Sequence, residues 1–431
     1  MVLIIPYTTG QTPDRLAAIL SRGETASASV RASVEEILSA VRERGDAAVV
    51  EYTKKLDKAD LMSAQFRIEP GECSAALNGL EPKLRGALEH AADNIRRFHE
   101  HEKRTSWFVP DGDGVILGKR YLPLDSVGLY IPGGTAPLFS TVLMAAIPAK
   151  VAGVGRIVMC TPPGPKGAVH TAILGAAALV GVDEVYRIGG VMAIAAMAYG
   201  TVTIRPVDKI VGPGNAYVQE AKKQVVGVVG IDMIAGPSEI VVIADESANP
   251  AFVAADMLSQ AEHGTGLEAA VAIVTSEKLA HEVAAELERQ TAALPRQDTV
   301  RKALDRYGAI FLVPDLATAC ELCDHIAPEH VEVQTADPWT LLDRIHHAGA
   351  IFLGAASSEP VGDYFAGTNH ILPTGRAARY ASPLGVDDFA KSSSIVAYSQ
   401  ERLTKSAGEI VALAEGEGLQ AHAEAIRRRC E

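Results

Sequence analysis

Apolar positions along the chain follow two regimes, and the change between them divides it. From Ala28 to Leu56 they recur every three or four residues, at Val30, Val34, Ile37, Leu38 and Val41, then from Ala47 to Tyr52 after Gly45-Asp46. From Lys83 to Glu102 the same spacing returns at Leu84, Leu88, Ala91, Ala92 and Ile95. Both stretches predict amphipathic helices. From Val127 the pattern alternates: strand-like runs at Val127 to Ile131, Arg156 to Cys160, Glu184 to Ile188 and Lys209 to Val211 are separated by helical stretches at Leu138 to Ala152, Ala168 to Val180, Met192 to Tyr199 and Ala216 to Val225. A second series places strands near Val271 to Val274, Ala309 to Val313, Val331 to Val333 and Ala350 to Leu353, with helices at Leu279 to Leu287, Leu316 to His325 and Trp339 to His346. This rhythm predicts parallel sheets covered by helices on both faces. The tail from Gln400 is helical twice over and ends in Arg427, Arg428 and Arg429, which suit a helix C-terminus.

Between the two series runs Gly230 to His263. A strand-like segment leads to the turn Gly236-Pro237-Ser238-Glu239, the buried strand Ile240 to Ile243, and a helix opened by Asn249 and Pro250 and stopped by Gly264. Val253, Ala254, Met257, Leu258 and Ala261 cover one side of that helix; Asp256, Gln260 and His263 fall on another. Residues three apart lie side by side, so the Gln260 amide oxygen and the His263 imidazole are placed to share one ion. The bland alternative is that His263 only caps the helix C-terminus.

With 431 residues the chain has room for two or three domains with sizeable cores. Its net charge of -13 argues against a nucleic-acid or anionic-membrane surface. The apolar patch Val2 to Ile5 breaks at Pro6 without a basic flank, unlike a signal peptide, and no apolar run approaches the roughly 18 residues of a membrane span. Five cysteines, an odd number, suggest a reducing compartment and a cytoplasmic location. Cys320 and Cys323 form a C-x-x-C pair with no second pair, which reads as helix core and not as a metal site.

Three Gly-rich turns, Pro132-Gly133-Gly134, Gly189-Gly190 and Gly212-Pro213-Gly214-Asn215, each follow a predicted strand and precede a helix, where ligands of open α/β sheets bind. None is a G-x-G-x-x-G. Singly they serve packing; together they point to a phosphate-bearing ligand. Glu329-His330, just before a strand, offers a general base beside a tuning carboxylate, the two side chains directed opposite ways if the segment is extended. Asp363 follows Gly362 in a loop, and Asn369-His370 comes soon after.

Long runs in a fixed order carry a resemblance. They are Tyr130-Ile131-Pro132-Gly133-Gly134-Thr135-Ala136-Pro137, Gly212-Pro213-Gly214-Asn215, Ile231-Asp232-Met233 with Ala235-Gly236-Pro237-Ser238-Glu239, Ser259-Gln260-Ala261-Glu262-His263, Ala327-Pro328-Glu329-His330, Gly362-Asp363-Tyr364, and Asn369-His370-Ile371-Leu372-Pro373-Thr374. Over essentially its whole length the chain resembles the histidinol dehydrogenase family. The resemblance implies zinc held by Gln260, His263, Asp363 and His422, with His422 and Glu417 serving a neighbouring subunit's site in a domain-swapped homodimer. It implies substrate contacts at Ser238, Gln260, His263, His330, Asp363, Glu417 and His422, cofactor contacts at Tyr130, Met192 and Asn215, and Glu329 and His330 as the catalytic pair. The chemistry implied is oxidation of L-histidinol through the aldehyde to L-histidine, by two hydride transfers to NAD. The fold implied is two related Rossmann-like parallel-sheet domains, similar to aldehyde dehydrogenases, with a helical N-terminal segment and a helical C-terminal tail. Its division is an N-terminal arm over 1–27, a discontinuous first α/β domain over 28–128 and 240–380 with much of the catalytic site, a cofactor-binding second α/β domain over 129–239, and a swapped tail over 381–431.

Two departures qualify the resemblance. Met192 stands where the family has a cofactor-binding glutamine, and the loop Gly264-Thr265-Gly266-Leu267-Glu268 is longer than the family's polar turn. They keep open a paralogue oxidising another small polar alcohol, such as a sulfopropanediol, and a catalytically silent metal-binding homologue.

Overall fold

The computed structural model describes residues 2–22, 27–133, 137–264 and 266–431. Gly134, Thr135 and Ala136 of the first Gly-rich run, and Thr265 after His263, lie outside the described residues. Two six-stranded sheets and one three-stranded sheet organise the chain.

In the first sheet the spatial order is Leu3–Pro6, Ala309–Leu312, Ala269–Val274, Glu239–Ala244, His330–Gln334 and Ala350–Leu353, every pair parallel. Its central strands Ala269–Val274, Glu239–Ala244 and His330–Gln334 are buried on both faces. Helices Pro250–Ala261, Glu277–Thr291 and Gln297–Tyr307 pack on one side through Val253, Met257, Val283 and Val300. Helices Asp14–Leu20 and Leu316–Ile326 pack on the other through Leu16, Ile19, Ala319 and Leu322. Cys320 and Cys323 are buried there as core side chains.

The second sheet has the order Arg67–Ile68, Glu184–Tyr186, Arg156–Cys160, Ser126–Tyr130, Lys209–Val211 and Gly230–Ile231, parallel except for its antiparallel first strand. Its strand order reverses between Ser126–Tyr130 and Lys209–Val211, and the Pro132-Gly133 and Gly212-Pro213-Gly214 turns leave the carboxyl ends of those two strands. Gly212 has φ +117°, and a Cβ there would stand 2.2 Å from the Tyr130 carbonyl oxygen, so only glycine lets the two turns approach.

The predicted strands and helices appear nearly where the periodicity placed them, with Trp339 to His346 shortened to the 3-10 turn Pro338–Arg344. The layer assignment of the N-terminal third differs from expectation. Helices Ala28–Arg44 and Asp46–Tyr52 pack in one core with Tyr186, Ile194 and Ile210, and Pro82–Glu100 in another with Leu129 and Met159. Residues 28–100 therefore cover the second sheet, and helix Pro82–Glu100 also meets 240–380, where Asn94 Nδ2 donates to the Phe365 carbonyl oxygen at 2.7 Å. Within the expected N-terminal arm, Leu3–Pro6 pairs in register with Ala309–Leu312 as an edge strand of the first sheet. An apolar helical stripe states that it must be buried, but not against which sheet.

The third sheet was not legible in the pattern. Strand Ala390–Tyr398 pairs antiparallel with Val115–Pro123, which pairs with Trp107–Asp111. Trp107, Phe108, Val109, Ile116, Leu117 and Val396 are exposed on it, so burial imposed no alternation on these strands. The tail helices Gln400–Gly416 and Gln420–Cys430 follow, with His422 and Glu417 both exposed.

The helix Pro250–Ala261 is capped as the sequence required, the Asn249 side chain accepting from the Ala251 N–H at 2.9 Å. It is tied to the adjoining strand by a buried polar cluster. Gln334 Nε2 donates to Asp256 Oδ2 at 2.6 Å and to Glu332 Oε2 at 3.0 Å, while Glu332 Oε1 accepts the Glu359 N–H at 2.7 Å. Burial raises the pKa of both carboxyls, and their hydrogen bond raises Glu332 further, so the pair holds a proton.

Replacing Gly212 by alanine is expected to destabilise the protein by about 3 kcal/mol or more, through strain at a positive φ and a backbone clash, as read by urea unfolding. For Glu332 the sign follows from its raised native pKa. The stabilisation is complete below the unfolded value near 4.5 and is lost as pH rises through the native one. Glu332→Gln, which keeps an acceptor for Glu359 N–H, is expected to flatten the fall in melting temperature between pH ~5 and ~9 and to melt above the parent at the alkaline end.

Candidate active site

Two parallel neighbours set the geometry. The register Ile240↔His330 places Glu239 beside Glu329, each at the amino end of its strand. The two residues clamp each other. Glu239 N–H donates to Glu329 Oε2 at 3.0 Å and Glu329 N–H donates to Glu239 Oε2 at 3.2 Å. The chain enters this position from helix Leu316–Ile326 through Ala327, a buried non-glycine residue at φ +49°, followed by Pro328. Gly349 packs on the far side, where a Cβ would stand 2.5 Å from the Glu329 carbonyl oxygen.

His330 is buried, with Nδ1 at 3.1 Å from the Glu239 carbonyl oxygen and its ring 6.1 Å from that of Phe352. A carbonyl only accepts, so Nδ1 carries hydrogen and Nε2 is the reactive nitrogen. Nε2 is buried without a hydrogen-bond partner and faces Asp363 Oδ1 at 3.7 Å. Glu329 Oε2 lies 3.7 Å from His330 Nδ1, so the two side chains share one pocket and do not diverge as an extended segment would direct them. Burial acts against a charged imidazole here, but Glu329, Asp363 and Glu359 outweigh it and raise the His330 pKa to about 10. Burial pushes Glu329 up to about 7, helped by Glu239 and opposed by His330.

Opposite His330 stands a set of donors. His263, Glu359 and Asp363 each offer a ligand atom, all within 4.8 Å of one another. Gln260 is fully buried and its Oε1 has no partner, while its Nε2 lies 3.1 Å from His263 Nδ1. His263 sits one residue beyond the helix C-cap, its Nδ1 also 3.1 Å from the Gln260 carbonyl oxygen, so the capping role and the ligand role coexist. Asp363 lies in a π-helical turn, Gly362–Ala366. Burial acts to raise its pKa, yet His330, His370 and His263 around it hold the carboxylate below its usual range. An unpaired amide oxygen beside an imidazole and two carboxylates is the donor set of a divalent cation such as zinc, and the residues present fit one.

Glu359 was not singled out from the sequence. Its signal was the spacing Glu359 to Asp363, four apart across a helical turn, which places both carboxylates on one side. Ser259 Oγ donates to it, linking it to the residue before Gln260. His370 is a support: Nδ1 lies 3.0 Å from the Asp363 carbonyl oxygen and Nε2 lies 3.3 Å from Thr141 Oγ1 on a helix of the second sheet.

The remaining expected residues divide. Ser238 is half-buried at the turn into strand Glu239–Ala244. Tyr130 ends strand Ser126–Tyr130, its hydroxyl accepting from Gly190 N–H at 3.1 Å and so joining two of the Gly-rich turns. Asn215 caps helix Ala216–Gln224, accepting from the Tyr217 and Val218 N–H groups at 3.1 Å. Met192 is buried in the core that contains Tyr130 and Val191, not turned to the surface of the turn. Within the single chain, His422 and Glu417 are not among the groups gathered at His263 and Asp363.

A family model described as histidinol dehydrogenase matches residues 20–430. A histidinol dehydrogenase of Heliobacterium mobile is 52% identical over 404 residues, covering 94% of this chain and 94% of its own. That of Geobacillus kaustophilus is 51% identical over 401 residues, 93% of this chain and 94% of its own. The crystal structure of histidinol dehydrogenase from Elizabethkingia anophelis aligns with a TM-score of 0.93 at 37% identity, over 100% of this chain and 98% of that one. With a buried Glu-His pair facing a cluster of His, Glu and Asp side chains that could hold a cation, and relatives matched nearly end to end, the chain belongs to the histidinol dehydrogenase family.

Proposed function

We propose that the chain oxidises L-histidinol to L-histidine in histidine biosynthesis, with zinc and NAD. The observation that carries this reading is the convergence of two buried, unpaired atoms, His330 Nε2 and Gln260 Oε1, on the His263–Glu359–Asp363 group. Zinc held by Gln260, His263, Asp363 and His422 of the partner subunit would orient the substrate's imidazole and amine and offset the carboxylates that raise His330. NAD, contacting Tyr130 and Asn215 where the second sheet reverses its strand order, would accept the hydrides.

The chain's own residues divide the proton work. His330 Nε2 takes the hydroxyl proton as the first hydride leaves, and Nδ1 stays fixed on the Glu239 carbonyl throughout. Glu329, raised toward neutrality, takes a proton from the water that adds to the aldehyde, while His330 Nε2 returns its proton to the aldehyde oxygen, so that the hydrate forms and the imidazole is free again. His330 then takes a hydroxyl proton of the hydrate as the second hydride leaves. Ser238 and Glu417 of the partner subunit bind substrate. Burial of both bases keeps bulk water from the intermediate.

A second copy of the chain completes this reading. The exposed apolar side chains of the three-stranded sheet, among them Phe108 and Val396, favour a homodimer in which the tail of one subunit reaches the other's site. The paralogue alternative rested on Met192 and on the 264–268 loop, and of these Met192 is buried in the core beside Val191 and Tyr130. No described helix is long and apolar enough to cross a membrane.

Purified, zinc-loaded protein is expected to yield a second NADH for every histidinol consumed, with turnover abolished by chelation; a yield that stops at the first would contradict four-electron oxidation. His330→Asn is expected to lower kcat by about 10²- to 10⁴-fold while zinc content stays at the parent value. His422→Ala is expected to lower zinc content, measured by metal analysis after dialysis; retention of full zinc would remove His422 from the ligand set.

A further inference from the structure

Arg22 lies two residues beyond helix Asp14–Leu20, more than 200 residues from the catalytic strands in sequence, yet its side chain is almost wholly buried and ion-paired to Glu239. The guanidinium lies 5.7 Å from the centroid of the Tyr307 ring. Its Nη2 also lies 3.4 Å from the Pro237 carbonyl oxygen, while Nε and Nη1 are buried with no partner among the described residues. A terminal segment that needed only anchoring would be served by an apolar side chain, as Leu16 and Ile19 already do for its helix. Burying a charge with unpaired N–H groups is costly unless the charge itself is needed.

Glu239 is what needs it. Its carboxylate accepts from Gly375 N–H and Glu329 N–H, both at 3.2 Å, its own N–H holds the Glu329 carboxylate, and its carbonyl holds His330 Nδ1. Every polar group of Glu239 that is not on Arg22 or Gly375 is on one of the two catalytic residues. Left without a counter-charge, the Glu239 carboxylate would repel the Glu329 carboxylate or take up a proton, and either change would loosen the reciprocal clamp.

We infer that Arg22 is a positioning residue for catalysis: through the buried pair with Glu239 it fixes the Glu329 carboxylate for activation of the water that hydrates the aldehyde. The inference rests on the role given to Glu329 under the proposed function. It assigns to the N-terminal segment a part in one step of the reaction and none in metal binding.

The test compares Arg22→Met, Arg22→Lys and the double variant Arg22→Met/Glu239→Gln with the parent as zinc-loaded enzymes. Each is supplied with L-histidinol and, separately, with L-histidinal, and zinc content and melting temperature are measured alongside. Arg22→Met is expected to lower kcat for histidinal by roughly tenfold or more, to lower the alcohol step much less, and to leave both KM values and zinc content within about twofold of the parent. The double variant, which removes the uncompensated charge, is expected to recover part of the lost kcat. Arg22→Lys keeps the charge but not the planar fork, so an intermediate kcat at unchanged KM is expected, and it serves if Arg22→Met does not fold.

Equal loss on both substrates, loss of zinc together with activity, or a folded Arg22→Met or Arg22→Lys with full histidinal turnover would each overturn the inference. A parent enzyme that turns over neither substrate would instead overturn the proposed function, which keeps the two failures distinct.

Discussion

Burying negative charge is the constraint around which this site is built. Glu239, Glu329, Glu332 and Glu359 are all nearly inaccessible to solvent, and Asp363 adjoins them. An isolated buried carboxylate is expensive, so each must share a proton, meet a cation or collect N–H donors. The chain uses all three means. Asp256 and Glu332 hold a proton between them, Arg22 neutralises Glu239, and backbone N–H groups of Glu239, Glu329, Glu359 and Gly375 point at carboxylate oxygens. Glu359 and Asp363 lie with His263 around a point where a bound cation would balance them.

The same constraint explains why the Glu329-His330 pair is held at the amino ends of strands Glu239–Ala244 and His330–Gln334. Parallel pairing there brings two acidic residues side by side, and their free backbone N–H groups at the strand starts are available to hold the carboxylates. The second sheet supplies the complementary half. Its strand-order reversal opens a crevice at the carboxyl ends of Ser126–Tyr130 and Lys209–Val211, and His370 and Asn369 tie the metal-donor loop to helix Phe139–Ala152 through Thr141 and the Met144 carbonyl. These bonds join the segment after Asp363 to the helix that follows the first of the Gly-rich turns.

Much of this was legible in residues whose local rules agree. Asn249 and Pro250 announced the helix start, the four-three spacing of Asp256, Gln260 and His263 announced its polar side, and β-branched runs announced both parallel sheets. What escaped was non-local. Nothing in Arg22 marks it as the partner of a residue 217 positions away, and Glu359 reads as one more acid before a proline. The N-terminal helices carry apolar stripes that fit either sheet, so their docking on the second was undetermined. The strands Trp107–Asp111 and Ala390–Tyr398 escaped because their apolar residues are exposed in the single chain and follow no alternation imposed by a core.

That exposure and the solvent-facing His422 and Glu417 underlie the proposal of a site completed across two subunits, and subunit mixing tests it most directly. The His330→Asn chain and the His422→Ala chain are each expected to be inactive alone. Co-expressed, they form mixed dimers in which one site combines an intact His330 with an intact His422, so recovery of about a quarter of the parent activity is expected. A co-expressed pair as inactive as either chain alone would contradict a site shared between subunits.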